Sequence, residues 1–330
     1  LHRTSIEQHF LNTKNKFLTM NYSIKNILVP TDFSQCANNA LRVAVNMAKR
    51  HKANIHLVNA YSVYVSVHSE GAIPYNTDTV SNLFKIKMDN LEVNKKEISK
   101  HLETNIVIFA ELGTVTDVVN RYVKAKSIDL IVMGTHGASG YKEYFAGTNT
   151  YDVIKTAICP VISIPLSFDG TGFKSVLYPI RAVEGVVEKY DYIKPILEKN
   201  DATIHLVGIA HENDMQERYV VNVDFAKVKK LIKHDQRFMT YESIKSKDIA
   251  ETILAVAAKR QDDLMVINAT LDKNWYHFFK GNYTQKIINH SRILIMAIKP
   301  ELTPTTVGKA NKYIATEATF FTPLTLQRTY

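Results

Sequence analysis

The sequence predicts an α/β protein of two tandem domains, each a five-stranded parallel sheet with helices on both faces. Three observations carry that expectation. Short apolar runs alternate with longer amphipathic stretches, the pattern of strands and helices that builds a parallel sheet. The alternation occurs twice in the same order. At 330 residues the chain has room for two domains, each with its own core.

The repeat is explicit in the residues. Asn26–Pro30 (NILVP) returns as Ser175–Pro179 (SVLYP), and Ala53–Val58 (ANIHLV) returns as Ala202–Val207 (ATIHLV), both at an offset of 149. Asp129–Met133 (DLIVM) matches Asp263–Ile267 (DLMVI) at an offset of 134, so the second copy has lost 15 residues between these landmarks. The loop from Ser62 to Asp78, rich in Ser, Gly, Pro and Asn, is the natural place for that loss.

In the first copy the elements follow in order. A strand over 26–30 and a helix over 35–51 come first, then a strand over 54–60. The helix predicted over 79–102 places Met88, Leu91, Ile98 and Leu102 on one face. A strand over 105–110 leads into a helix over 116–126, with Thr116 and Asp117 behind Gly113 as its expected N-cap. The run 129–133 reads as a buried strand, 148–157 as a helix and 160–164 as the last strand. These boundaries give domains at 21–167 and 168–300, an N-terminal extension at 1–20 and a C-terminal tail at 301–330. Residues 1–19 are polar without a core pattern, and Met20, just before the first strand, is the expected biological start. The tail is rich in Thr and Pro with Phe320, Phe321, Leu324 and Leu326 near its end, and reads as a disordered segment or a docking arm.

Composition narrows the function classes. Hydrophobic residues make up 45% and charged residues 22%, ordinary for a soluble globular protein. No run approaches the ~18 apolar residues of a membrane span, and no secretory signal is expected. Two cysteines, Cys36 and Cys159, fit a reducing compartment, so the expected location is cytoplasmic. Cys159 reads as a small buried hydrophobe, and His56 and His205, inside strands, read as structural. A net charge of +9 raises the question of nucleic acid. The densest basic run, Lys227–Lys233, has the spacing of one solvated helix face, so no nucleic-acid partner is expected. No metal-ligand spacing is present.

The chemistry-bearing motif is Gly134-Thr135-His136-Gly137, followed nine residues later by Gly147-Thr148. It comes directly after an apolar strand. A glycine there lets a ligand approach the backbone, and a Gly-Thr pair opening a helix offers free N–H groups and the positive dipole end to phosphate. The Pro30-Thr31-Asp32 turn also follows a strand. Both therefore belong to the carboxyl edge of the sheet, where such folds bind ligands.

These residues resemble the universal stress protein family, in a tandem arrangement covering about residues 21–300. The resemblance rests on Pro30-Thr31-Asp32-Phe33-Ser34, Met133–Gly137, Gly147-Thr148 and Cys159-Pro160-Val161, in that order. It implies Rossmann-like domains and, for the first, an ATP site that takes Mg2+ with the nucleotide. Asp32, with the backbone of Pro30 and Thr31, would contact ribose or adenosine. Ala60 would lie under the adenine. Gly134, His136 and Gly137, after Met133, would wrap sugar and phosphates, while Gly147, Thr148, Asn149 and Thr150 would hold the phosphate chain. Thr148 and Thr150 are expected to add hydroxyl donors. Asn149 departs from the family's usual apolar residue, and its backbone N–H is expected to matter more than its side chain.

Carried into the second copy, Thr31 becomes Ile180, Asp32 becomes Arg181, Gly134 becomes Asn268 and Gly137 becomes Leu271, while Gly147 survives as Gly281 followed by Asn282. That copy is expected to bind no ATP. The resemblance also implies that the two domains pair through their last strands, Val161–Ile164 and Ile293–Ile298, with a homodimer as a further step. A Walker lysine (G-x4-G-K-S/T) is missing, and no carboxylate is placed to activate water. The expected function is a non-catalytic, ATP-binding stress regulator. Two alternatives stand beside it: an enzyme of the adenine-nucleotide α-hydrolase-like group, whose S-G-G-x-D-S and H-I-G-H motifs are missing, and a nucleotide-independent interaction protein. AMP or cyclic AMP in place of ATP also fits.

Overall fold

The computed structural model describes residues 22–62, 67–68, 71–72, 77–135, 148–170, 172–269 and 283–299. The expected extension at 1–20, the tail at 301–330, and His136, Gly137, Gly147, Leu271, Gly281 and Asn282 lie outside the described residues. The first half runs β1 (Asn26–Pro30), α1 (Gln35–His51), β2 (Asn54–Tyr61), the two-residue strands β3 (Val67–His68) and β4 (Gly71–Ala72), and α2 (Thr77–Ser99). It continues with β5 (Ile106–Leu112), α3 (Val115–Lys126), β6 (Leu130–Gly134), α4 (Thr148–Thr156) and β7 (Val161–Ile164). The second half runs β8 (Ser175–Ile180), α5 (Tyr190–Asn200), β9 (Thr203–His211), α6 (Met215–His234) and β10 (Met239–Ser246). It ends with α7 (Ile249–Arg260), β11 (Leu264–Asn268), α8 (Tyr283–His290) and β12 (Leu294–Ile298).

Ten of these strands form one sheet in the order β10-β9-β8-β11-β12-β7-β6-β1-β2-β5. Each half contributes five parallel strands in the same internal order, as the alternating pattern predicts. The halves meet where β7 pairs antiparallel with β12, Ile162 opposite Met296. The carboxyl ends of the two parallel sets therefore point in opposite directions. The expected pairing of last strands is what joins the sheet.

Strand ends are pinned in the same way in both halves. Asp129 Oδ2 accepts from the amides of Lys25 and Asn26 at 2.8 and 2.9 Å. Its counterpart Asp263 accepts from Lys174 and Ser175 at 2.7 and 3.0 Å. Most of the 15-residue difference lies where the sequence put it: residues 62–76 separate β2 from α2, while only 212–214 separate β9 from α6, and the rest lies in the helices, 23 residues in α2 against 20 in α6.

Helix α1 begins at Ser34, whose side chain accepts from the Ala37 amide, and ends with Lys52 in the left-handed region at φ 55°. Its Ala40, Val43, Ala44 and Met47 are fully buried against the sheet. Leu91, Ile98 and Leu102 are buried too, with Met88 packed beside them. One cap differs from expectation. Helix α3 is capped by Thr114, not Thr116; Thr114 Oγ1 accepts from the Asp117 amide at 3.2 Å and donates to its carboxylate at 2.7 Å. Thr116 lies inside the first turn, two residues past the cap, where the backbone is already helical. Cys36 and Cys159 are buried free thiols, and burial drives the Cys159 thiol far above its usual range. Among the described residues, no helix is long and apolar enough to cross a membrane.

His56 is structural, as expected. Its ring lies between the Tyr122 hydroxyl at 3.0 Å and Asn26 Oδ1 at 3.3 Å, an arrangement that the neutral Nε2–H form satisfies at both nitrogens. Burial, with a smaller push from Lys126, lowers its pKa from 6.5 to about 4. The folded state thus excludes a proton that the unfolded chain takes up below pH 6.5. Stability present at neutral pH is lost as pH falls from 6.5 toward 4, by an amount on the order of 3 kcal/mol for a shift of that size. His51, lowered to about 4 by burial and by Lys199 and Arg50, adds in the same direction. His56→Gln should therefore lower stability at pH 7 yet flatten its decline across this window, measured by urea unfolding at a series of pH values.

Candidate functional site

The carboxyl ends of β1 and β6 are adjacent, and the chain leaves them in opposite directions, β1 toward β2 and β6 toward β7. Such a switch point leaves a crevice between the departing connections. Here the crevice is lined by Pro30, Thr31, Asp32, Ala60, Met133, Gly134, Thr148, Asn149 and Thr150. Every described residue that the sequence singled out reaches this one place. Ala37, Val58, Val115 and Val119 also line it, and the sequence reading missed them; Thr135, named in the glycine motif without a role of its own, lines it too. Val115 and Val119 share a face of α3 at i, i+4 spacing, the one signal that could have pointed to them.

The half-open crevice has a volume of about 150 Å³, enough to take a planar aromatic ring. Its walls are Val58 and Ala60 from β2, Met133 from β6, and Val115 and Val119 from α3. The β1–β2 ladder stops at Pro30 opposite Val58. The Val58 carbonyl accepts from the Thr31 amide at 2.8 Å, and the Tyr61 carbonyl accepts from Gly113 on the β5 side at 2.9 Å. By alternation, the Ala60 N–H and C=O turn toward β1 beyond its end, where a planar ligand with a donor and an acceptor on one edge would meet them.

Asp32 stands exposed at the mouth and is the only charged side chain on the crevice wall among the described residues. It does not cap α1; Ser34 does, while Asp32 Oδ1 accepts from the Ser34 amide at 3.0 Å. Across the mouth, α4 starts at Thr148, presenting its first free amides. Thr148 and Asn149 are exposed there.

Two expectations change. Thr150 is buried and its hydroxyl donates to the Gly134 carbonyl at 2.9 Å, so its proton fixes the end of β6 instead of serving a phosphate. Gly134 is required for packing: an added Cβ would lie 2.7 Å from Cys36 Sγ and 2.9 Å from the Cys36 carbonyl carbon. The glycine lets the first turn of α1 close onto β6, and so sets the floor of the crevice.

At the corresponding described positions the second half carries larger side chains. Ile209 replaces Ala60 and is fully buried. The Arg181 guanidinium, at the position of Asp32, lies 3.7 Å from the ring centroid of Tyr283, at the position of Asn149. Asn268, in place of Gly134, sends Nδ2 toward the Glu184 carbonyl at 3.4 Å. Residue 184 matches the start of α1, yet α5 begins only at Tyr190. A side chain at the glycine position coincides with a helix that starts two turns late. Among the described residues, no cluster of three potential metal ligands occurs.

The sequence model of the universal stress protein family matches residues 23–165. A universal stress protein of Methanocaldococcus jannaschii is 31% identical over 144 residues, spanning 42% of this chain and 81% of the relative. The chain belongs to the universal stress protein family. A Bacillus subtilis universal stress protein is 27% identical over 146 residues, 42% of this chain and 97% of its own length. The family match falls on the half that holds the crevice. In fold, a crystal structure of a universal stress protein from Archaeoglobus fulgidus superposes with a TM-score of 0.66 at 14% identity, covering 86% of this chain and all of the other.

Gly134→Ala should destabilise the protein by about 1–3 kcal/mol through overpacking against Cys36, read as a lowered urea midpoint with an unchanged slope.

Proposed function

We propose that the first half binds ATP, one molecule per chain, and that the protein acts as a stress-response regulator without a catalytic duty. The observation that carries this reading is the convergence of nine sequence-singled residues on one crevice at the switch point. The apolar slot between β2 and α3 suits the adenine, with the Ala60 backbone reading its edge. Asp32 would accept from the ribose hydroxyls. The start of α4, with Thr148, Asn149 and the glycine motif that includes His136, Gly137 and Gly147, would hold the phosphates. Mg2+ would arrive on the phosphate oxygens.

The second half is a degenerate universal stress protein domain in this reading, and 21–167 and 168–300 are the domain limits. Its crevice is closed by Arg181 and Ile209, and its service is structural: it covers the β7 edge. A homodimer of such chains, like the cytoplasmic setting, is part of the proposal. The regulator reading is favoured over the hydrolase reading because Asp32, already accepting from the Ser34 amide, is the one described carboxylate on the crevice wall. Binding would order the glycine motif and change the surface offered to a partner.

Protein purified without added nucleotide, heat-denatured and chromatographed, should release about one ATP per chain. Asp32→Ala should weaken rebinding roughly tenfold, the loss of hydrogen bonds to a charged group. Arg181→Ala should leave the stoichiometry at one. Release of AMP or cyclic AMP would change the ligand, and two nucleotides per chain would refute the silent second half.

A further inference from the structure

We propose that Asn59 is a positioning residue of the first-half site, holding the turn that aims Asp32 at the ligand. The inference rests on the nucleotide reading above. Asn59 lies on β2 between two crevice residues, Val58 and Ala60, but alternation sends its side chain to the other face of the sheet. It is 2% exposed, and its Nδ2 donates to the Thr31 carbonyl at 2.7 Å. The Thr31 amide already donates to the Val58 carbonyl at 2.8 Å. Consecutive residues of one strand therefore grip both backbone polar groups of Thr31, just before Asp32.

The turn needs such a grip. Phe33 has φ 68°, a left-handed conformation disfavoured for a residue with a Cβ. Thr31 Oγ1 accepts from the Phe33 amide at 3.0 Å, and Asp32 Oδ1 accepts from the Ser34 amide at 3.0 Å. These bonds hold only if the Thr31 peptide is fixed. Strain of this kind persists where the surroundings over-determine it.

Two further facts separate positioning from plain packing. Asn59 Oδ1 is buried with no partner among the described residues, an unfavourable state that an apolar strand residue would avoid. The amide is thus kept for its donor alone. The second half lacks the whole device. Thr31 is replaced there by buried Ile180, Asp32 by Arg181, and Asn59 by Gly208. The Phe225 ring takes the vacated slot, 3.1 Å from where a Cβ of residue 208 would lie. Donor, hydroxyl and carboxylate are missing together, in the half whose crevice is closed.

The test titrates ATP and 2′,3′-dideoxyATP into the full-length wild type, Asn59→Asp and Asn59→Ala by calorimetry. Melting temperatures and amide exchange at Phe33 and Ser34 are measured in parallel. Asn59→Asp turns the donor into an acceptor facing the Thr31 carbonyl; Asn59→Ala removes it without adding charge. The wild type should prefer ATP roughly tenfold, because only ATP offers ribose hydroxyls to Asp32. In both variants that ratio should fall toward one, with dideoxyATP affinity nearly unchanged and faster exchange at Phe33 and Ser34. A ratio that survives in the folded variants overturns the proposal, including the case where both affinities fall together, which is plain destabilisation. A wild type that binds neither nucleotide, with exchange still faster in the variants, refutes the nucleotide reading and leaves the clamp supported on its own.

Discussion

Strand β7 is four residues long and buried throughout, and its pairing with β12 is the contact on which the rest of the molecule depends. A parallel sheet whose last strand is this apolar cannot leave that strand as an edge, because unpaired amides and carbonyls beside an apolar face invite adhesion. Two halves joined antiparallel there satisfy each other's backbone and bring the two cores into one sheet. The same pairing fixes β6, the neighbour of β7, and β6 ends in Gly134. The floor of the crevice is thereby tied to the junction between the halves.

From that floor the site is assembled by close approach more than by side-chain chemistry. Gly134 admits the first turn of α1, and the hydroxyl of Thr150 holds the carbonyl of that glycine. Ser34 caps the helix that results. Where the second half carries Asn268, the matching helix starts later and its first residues form turns instead. One added side chain and a shift of the helix start are two views of the same steric constraint.

Much of this was legible in the sequence because the signals are local or periodic. Strand positions, the offset between copies and the deleted loop follow from apolar runs, turn residues and spacing, whereas the pairing of the last strands and most site residues, Ala60 among them, rested on the resemblance to the family. What was missed depends on pairs far apart in the chain. Asn59 reads as a polar blemish in a strand until the Thr31 carbonyl is seen beside it. Thr150 reads as a phosphate donor until Gly134 is seen to take its proton. Val115 and Val119 look like ordinary core, since nothing local says that one end of their helix face borders a crevice. The cap at Thr114 was misplaced by two residues because Thr114 and Thr116 both suit the role, and only backbone conformation separates them.

The antiparallel junction carries one more consequence. Because the carboxyl ends of the two strand sets face opposite ways, the described wall residues of the first crevice all come from residues 30–150, and none from the second half. Substitutions at Arg181, Ile209 or Asn268 thus leave the described wall of the first crevice untouched. Either rim can therefore be altered on its own, as long as the shared antiparallel junction of β7 and β12 is kept.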